Sequence, residues 1–284
     1  MITGKTKNLG VIGYPIAHSL SPVIHNQALA KAKLDYVYTA LKVAPESLAA
    51  AVNGLRALDY RGFNVTIPHK AAIMPLLDEI DEDAKIIGAV NTVVNDNGLL
   101  KGYNTDAAGF INALKDTGFI LENSEVVLLG AGGAARAIIW GLIKSKVKAI
   151  YIGVRNLAKV KDLVQEFSAY TAITADNFAA DSFKAKLKSA DLLVNTTPLG
   201  MTPKVDAIPP IDWQDINPTA FCYDIIYTPA VTRFLREAKT NGHKILNGEG
   251  MLAGQGAAAF ALWTGVEPDL ELMKKSLRKS LAAN

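Results

Sequence analysis

The chain has 284 residues, long for a single core and ample for two domains. Half of the residues are hydrophobic and 20% are charged, and 30 Lys and Arg against 27 Asp and Glu leave a net charge of +3. This is the composition of an ordinary globular protein, with no basic excess for nucleic acid, although a mild positive potential suits small anionic ligands. The single cysteine, Cys222, excludes an internal disulfide framework and fits a reducing compartment. Its apolar setting, Phe221-Cys222-Tyr223, reads as core packing rather than as a nucleophile. Met1–Leu9 carries no apolar leader and no apolar run reaches membrane-spanning length, so the expected setting is the cytoplasm, with no membrane partner.

In chain order, Asn8–Gly13 reads as a strand and Ser21–Ala32, with Pro22 just inside its start, as a helix. Asp35–Val43 alternates like a strand, Glu46–Leu58 follows a helical period, and Gly62–Ile67 is again strand-like until Pro68 stops it. Ala89–Val94, a turn over Asn95-Asp96-Asn97-Gly98 and Leu99–Tyr103 read together as a hairpin, expected at one edge of a mostly parallel sheet. A helix over Thr105–Thr117 leads to a second α/β unit. There Val126–Leu129 is a buried strand, Ala134–Ser145 an apolar helix and Ala149–Val154 the next strand, a complete βαβ unit. Further strands are expected at Ala172–Thr174, Asp191–Asn195, Phe221–Ile226 and Lys244–Leu246, then helices over Met251–Trp263 and from Pro268 onward. Glu267, Asp269 and Glu271 open that last helix and Lys274, Lys275, Arg278 and Lys279 close it, a polarity that complements the helix dipole.

Between the VVLL strand and its helix stands Gly130-Ala131-Gly132-Gly133-Ala134-Ala135, a G-x-G-x-x-A pattern. The pattern alone is weak, but placed after a buried strand and opening a helix it reads as a dinucleotide turn. Its glycines let backbone N–H groups approach a pyrophosphate at the helix N-terminus. A purely structural strand–helix turn is the alternative. Enzymes that use NAD usually carry an acid after the second strand, whereas this chain has Arg155 and Asn156 there, with Lys159 following. A guanidinium can grip a 2′-phosphate that a carboxylate would repel, so NADP is the expected cofactor. An exposed arginine at a helix start is the bland alternative.

Three segments of the first half carry polar side chains that a structural reading does not call for. His18-Ser19-Leu20-Ser21-Pro22 puts two hydroxyls at a helix entry, where Ser21 could equally be a cap. Asn64-Val65-Thr66-Ile67-Pro68-His69-Lys70 delivers Thr66 and Lys70 to the carboxyl edge of a strand, where open α/β sheets bind ligands. Gly88-Ala89-Val90-Asn91-Thr92 and Asn104-Thr105-Asp106 bring Asn91 and Asp106, the second of which could be no more than a charge on a helix N-terminus. The four histidines, His18, His25, His69 and His243, show no ligand spacing, so no metal site is expected, and no G-x-S-x-G elbow supports a serine hydrolase.

The segments HSLSP (His18–Pro22), NVTIPHK (Asn64–Lys70), GAVNT (Gly88–Thr92), NTDAAG (Asn104–Gly109), GAGGAARA (Gly130–Ala137) and GMLAGQGA (Gly250–Ala257) resemble, in order and spacing, those of the shikimate dehydrogenase family. The likeness spans essentially the whole chain. It implies an α/β protein of two domains with a cleft between them. One is an open, mostly parallel α/β substrate domain of residues 1–106 and 250–284; the other is a Rossmann-type, doubly wound NADP domain of residues 107–249. It also implies that Ser19, Ser21, Thr66, Asn91, Asp106 and Gln255 surround the carboxylate and hydroxyls of shikimate, with Lys70 and Asp106 as the catalytic pair and Tyr227 near the carboxylate. On the cofactor side it implies Gly130 to Ala134, Arg155, Asn156, Lys159, Asn195, Thr196, Thr197, Ile225 and Gly248, the last meeting the nicotinamide amide through its backbone. The family often has Asn-Arg-Thr where this chain has Val154-Arg155-Asn156, a change that loosens the expected NADP preference. The acid of dual-cofactor relatives is replaced by Leu157.

The implied reaction is reversible reduction of 3-dehydroshikimate to shikimate by NADPH. Lys70 is expected to supply the proton and Asp106 to orient it; His69, adjacent to Lys70, is a rival base expected to point away. The residues leave open a quinate or dual quinate/shikimate dehydrogenase and a non-catalytic NADP-binding regulator. Methylenetetrahydrofolate dehydrogenase, a rival of similar architecture, does not explain HSLSP together with NTD. A monomer or homodimer is expected.

Overall fold

The structure, a computed structural model, describes residues 2–283. The chain divides into two units: residues up to Gly109 together with those from Ala253 onward, and Phe110–Leu252.

In the first unit the elements run β1 (Lys7–Gly13), α1 (Ser21–Lys31), β2 (Tyr36–Lys42), α2 (Leu48–Ala57), β3 (Gly62–Val65), β4 (Glu79–Ile80), α3 (Glu82–Ile87), β5 (Thr92–Asp96), β6 (Leu99–Tyr103) and the start of α4 (Asp106–Lys115). The sheet order is β2-β1-β3-β5-β6-β4. β1 runs parallel to β2 and β3, β5 antiparallel to β3 and β6, and β4 parallel to β6. Ile12, Phe63, Val65, Val93 and Leu100 form its core with Val52 and Leu55 of α2. On the edge strand β2, the side-chain amide of Asn26 donates to Tyr38 O at 2.8 Å and accepts from Tyr38 N–H at 2.9 Å, covering the outward-facing backbone.

Two expectations for this region need correction. The β5–β6 hairpin is not at the sheet edge, because β4 pairs outside β6. The Asp78 carboxylate accepts from Leu100 N–H at 2.7 Å, and Asp81 N–H donates to Gly102 O at 2.9 Å, which clamps the segment in place. The hairpin turn is also shorter than read: the ladder continues to Asp96 opposite Leu99. Only Asn97 (φ +54°) and Gly98 (φ +93°) turn, both left-handed, as a two-residue hairpin requires. The strand begins at Thr92 rather than Ala89 because α3, closed by left-handed Gly88, occupies the preceding segment.

The second unit contains β7 (Glu125–Leu129), α5 (Ala135–Lys144), β8 (Ala149–Val154), α6 (Lys161–Phe167), β9 (Ala172–Asn177), α7 (Asp181–Leu187), β10 (Leu192–Asn195), β11 (Phe221–Asp224), α8 (Arg233–Thr240) and β12 (Ile245–Leu246). All its strands are parallel, in the order β12-β11-β10-β7-β8-β9. This is the doubly wound order, with its switch point between β7 and β10. The uninterrupted apolar runs of β7, β10 and β11 follow from burial on both faces. Cys222 on β11 is wholly buried, and burial pushes its thiol up to about 12, so it stays protonated and inert.

α9 (Glu249–Thr264) and α10 (Leu270–Ala283) return the chain to the first unit, where α10 packs on α1. Asp269, expected inside the last helix, instead precedes it and accepts from Leu272 N–H at 2.9 Å as a cap. The indole of Trp263 lies over β3 and donates to Val93 O at 2.9 Å. A Cβ on Gly62 would stand 2.2 Å from its Nε1, so only glycine admits the ring. Gly62→Ala is therefore expected to destabilise the first unit by about 1–3 kcal/mol or more through overpacking, lowering its calorimetric melting temperature. An unchanged melting temperature would refute this account of the contact. No helix among the described residues is long and apolar enough to cross a membrane.

Candidate active site

The carboxyl ends of β3 and β6 bring together the polar side chains of the first unit. Lys70 follows the loop after β3, and Asp106 is the first residue of α4 after β6. Lys70 Nζ donates to Asp106 Oδ2 at 2.5 Å, with the lysine side chain 25% and the aspartate side chain 11% exposed. The other oxygen, Oδ1, accepts from Asn91 Nδ2 at 2.8 Å. Asp106 is thus more than a helix-terminal charge: its two oxygens are assigned, one to an amide and one to an ammonium.

Behind this pair lies a buried network that the sequence reading did not pick out. Asn91 Oδ1 accepts from Thr105 N–H at 2.8 Å and Thr92 Oγ at 2.9 Å. Asn64 Nδ2 donates to Thr92 Oγ at 3.0 Å and to Asn91 O at 3.1 Å, and Asn64 Oδ1 accepts from the Tyr38 hydroxyl at 2.7 Å. The available signal was a polar residue, Asn64, inside an otherwise apolar buried strand, since such a group requires partners. Burial holds the Tyr38 phenol well above its ordinary value, and the Ser21 hydroxyl bonded to it works in the opposite direction.

Ser21 does not cap α1: the capping position is Leu20 and no side chain serves it. Its N–H donates to Ser19 Oγ at 3.3 Å, which sets the two serines side by side. Thr66 directly follows β3, its N–H bonded to Ile12 O at 3.0 Å. His69 points away from Lys70: it is buried, and its Nε2 donates to Val43 O at 2.8 Å. Gln255 lies on α9 in the first unit, whereas Tyr227 belongs to the second, in the loop after β11.

In the second unit the glycine turn after β7 leads directly into α5. Gly130 is left-handed (φ +94°), and a Cβ there would lie 2.5 Å from the Thr197 methyl. Gly132 and Gly133 are exposed, with nothing within 4 Å of a Cβ on Gly133, so backbone rather than protein packing is what this position offers. The capping residue of α5 is Ala134, which offers no side-chain cap. Thr196 Oγ donates to Gly130 O at 2.8 Å and fixes the turn from β10, while Asn195 Oδ1 accepts from Thr197 Oγ at 2.6 Å.

Beyond β8, Arg155, Asn156 and Lys159 are exposed. Asn177 Nδ2 donates to Arg155 O at 3.1 Å, holding the backbone and leaving the guanidinium outward. Asn156 is committed in part to local structure, because its Oδ1 accepts from Ala158 N–H at 3.0 Å and caps the short 3-10 turn Leu157–Val160. Gly248 approaches the loop after β11 so closely that a Cβ would lie 1.9 Å from Ile225 O, and its N–H donates to Ile226 O at 2.9 Å.

Family models match this layout along the chain: the shikimate dehydrogenase substrate binding domain over residues 11–93, shikimate / quinate 5-dehydrogenase over 113–200, and the shikimate 5′-dehydrogenase C-terminal domain over 248–278. The shikimate dehydrogenase (NADP+) of Geobacter metallireducens is 45% identical over 284 residues, covering 99% of both chains. The chain belongs to the shikimate dehydrogenase family. Among solved structures, the shikimate 5-dehydrogenase of Listeria monocytogenes in complex with shikimate and NAD is 37% identical, with a TM-score of 0.93 over 97% of this chain and 98% of that one. A shikimate dehydrogenase in complex with NADP+ is 41% identical, with a TM-score of 0.91 over 99% and 98%. The family's two-sheet α/β architecture is therefore the architecture of this chain.

Proposed function

We propose that this chain reduces 3-dehydroshikimate to shikimate with NADPH, reversibly, in the shikimate pathway of aromatic amino-acid biosynthesis, as a cytoplasmic enzyme working as a monomer or homodimer. The observation that carries the reading is the Lys70–Asp106 pair, held at the carboxyl edge of the first sheet by Asn91. A half-buried ammonium beside a fixed carboxylate is suited to meet an oxyanion as it forms.

In this reading Ser19, Ser21, Thr66, Asn91, Tyr227 and Gln255 hold the substrate's carboxylate and hydroxyls. NADP would be held by Gly130–Ala134 at its pyrophosphate, by Asn195, Thr196, Thr197, Ile225 and Gly248 toward the nicotinamide, and by Arg155, Asn156 and Lys159 at the 2′-phosphate. When bound it supplies the hydride. Lys70 donates a proton from Nζ to the oxygen of the reduced carbonyl, and Asp106 Oδ2 keeps the ammonium aimed. Because the Lys70 side chain is 25% exposed, water can return the proton.

The test is the initial rate of nicotinamide reduction with shikimate and quinate, each offered NADP and NAD. Turnover confined to shikimate with NADP is the expected result. Comparable rates with quinate or NAD would move the chain to the dual-specificity branch, and no turnover in any pairing would leave a non-catalytic NADP-binding protein.

A further inference from the structure

Two loops leave the carboxyl ends of β10 and β11, and the residues assigned above to the nicotinamide end lie on them or against them. Both are tied to one side chain that the proposed chemistry does not use. Asp224, the last residue of β11, is wholly buried. Its Oδ1 accepts from Asn195 Nδ2 at 3.1 Å and from Ile226 N–H at 3.0 Å, and its Oδ2 accepts from Thr232 Oγ at 2.6 Å. The bonds continue outward on both sides. Asn195 Nδ2 also donates to Leu199 O at 3.2 Å, and its Oδ1 accepts from Thr197 N–H at 3.0 Å and Thr197 Oγ at 2.6 Å. Ile226 O accepts from Gly248 N–H at 2.9 Å, and Thr202 N–H donates to Thr228 O at 3.2 Å, joining the two loops.

Asp224 forms no ion pair among the described residues, and burial raises its carboxyl to about 6 despite the three hydrogen bonds that oppose the shift. A buried carboxylate without a counter-charge is a net cost to a fold that packing alone could have served with an apolar residue. What the carboxylate provides is acceptor capacity: two oxygens bind three donors, one from the end of β10 and two from the loop after β11.

We infer that Asp224 is the positioning residue of the nicotinamide end of the cofactor site: it sets Asn195, Thr197, Ile225 and Gly248 relative to one another without touching the cofactor. The inference rests on the cofactor placement proposed above. It separates two ends of one ligand. Loss of Asp224 should loosen the nicotinamide-side loops while leaving Arg155, which serves the 2′-phosphate, as it is.

The experiment measures dissociation constants for NADPH and for adenosine 2′,5′-bisphosphate, which lacks the nicotinamide half, with the wild-type chain, Asp224→Asn, Thr232→Val and Thr232→Ser. Asparagine keeps the shape but loses the charge, Thr232→Val removes one donor to the carboxylate together with the cap that Thr232 Oγ gives Leu235 N–H at 3.3 Å, and Thr232→Ser restores both. For Asp224→Asn, NADPH should bind about tenfold more weakly, the size of one weakened charge-assisted hydrogen bond. The bisphosphate should stay within roughly twofold, since Arg155, Asn156 and Lys159 follow β8 and share no hydrogen bond with Asp224. Thr232→Val should show the same selective loss, and Thr232→Ser should recover most of it. Equal weakening of both ligands, or of neither, would overturn the inference and leave Asp224 a structural residue of the second unit. A wild-type chain that binds neither ligand would overturn the cofactor placement itself, and the inference with it.

Discussion

Replacing Lys70 with alanine is expected to lower kcat by about 10²–10⁴-fold, the range of a positioned general acid, while shikimate affinity stays within about tenfold. The asymmetry follows from where the lysine acts. On the substrate placement proposed above, Ser19, Ser21, Thr66 and Asn91 would remain to hold the ring, whereas the ammonium matters most when negative charge appears on the reacting oxygen. The variant also leaves Asp106 usable as a control. Asn91 still donates to its Oδ1 at 2.8 Å, so the carboxylate stays in place when Oδ2 loses its partner. Stopped-flow rates and equilibrium shikimate binding on the same preparation decide the matter. A drop in affinity as large as the drop in rate would make Lys70 a binding residue and return the proton to another group.

Arg155→Ala should raise the KM for NADP by about 10–100-fold and leave that for NAD within roughly twofold, since a guanidinium–phosphate pair is worth a charge-assisted, often bidentate bond. Arg155 is exposed, so its removal should cost little stability. Asn177 holds only the backbone of Arg155, and that bond survives the substitution. Matched losses for NADP and NAD would remove Arg155 from the 2′-phosphate and shift attention to Lys159.

The sequence made the second sheet legible where burial on both faces forces long apolar runs, as in Val126–Leu129 and Ala149–Val154. It made the glycine turn legible because only glycine tolerates the Gly130 backbone and the contact with Thr197. Short elements escaped. β4 has two residues, and α7 and α8 have seven and eight, too few turns for a period to stand out. The hairpin was recognised from Asn97-Gly98, but its place in the sheet depends on Asp78 reaching Leu100, a contact between distant residues that no local pattern encodes. The candidate site divides the same way. Lys70 and Asp106 stand out as polar residues at a strand end and a helix start, but only the family resemblance implies that they form a catalytic pair. Of their supports, Asn64 leaves a signal as a polar residue in an apolar strand, whereas Tyr38 becomes visible only when hydrogen-bond partners are traced. Asp224 ends an apolar strand as any turn residue would, and only its burial and three donors distinguish it.

The return of α9 and α10 to the first unit has a consequence for biosynthesis. The slot beside Gly62 is filled by Trp263, and α1 packs on α10, so the sheet begun by β1 is finished by residues translated after the whole of the second unit. At about 5–20 residues per second, the whole of Phe110–Leu252 is translated, over roughly seven to thirty seconds, while the first sheet waits for its closing helices. During that interval the nascent chain exposes apolar surface that the finished protein buries, and the second unit, contiguous in sequence, has the earlier chance to fold. Vectorial synthesis thus reverses the order in which the two units are written, and the dependence on chaperones should fall on the N-terminal half.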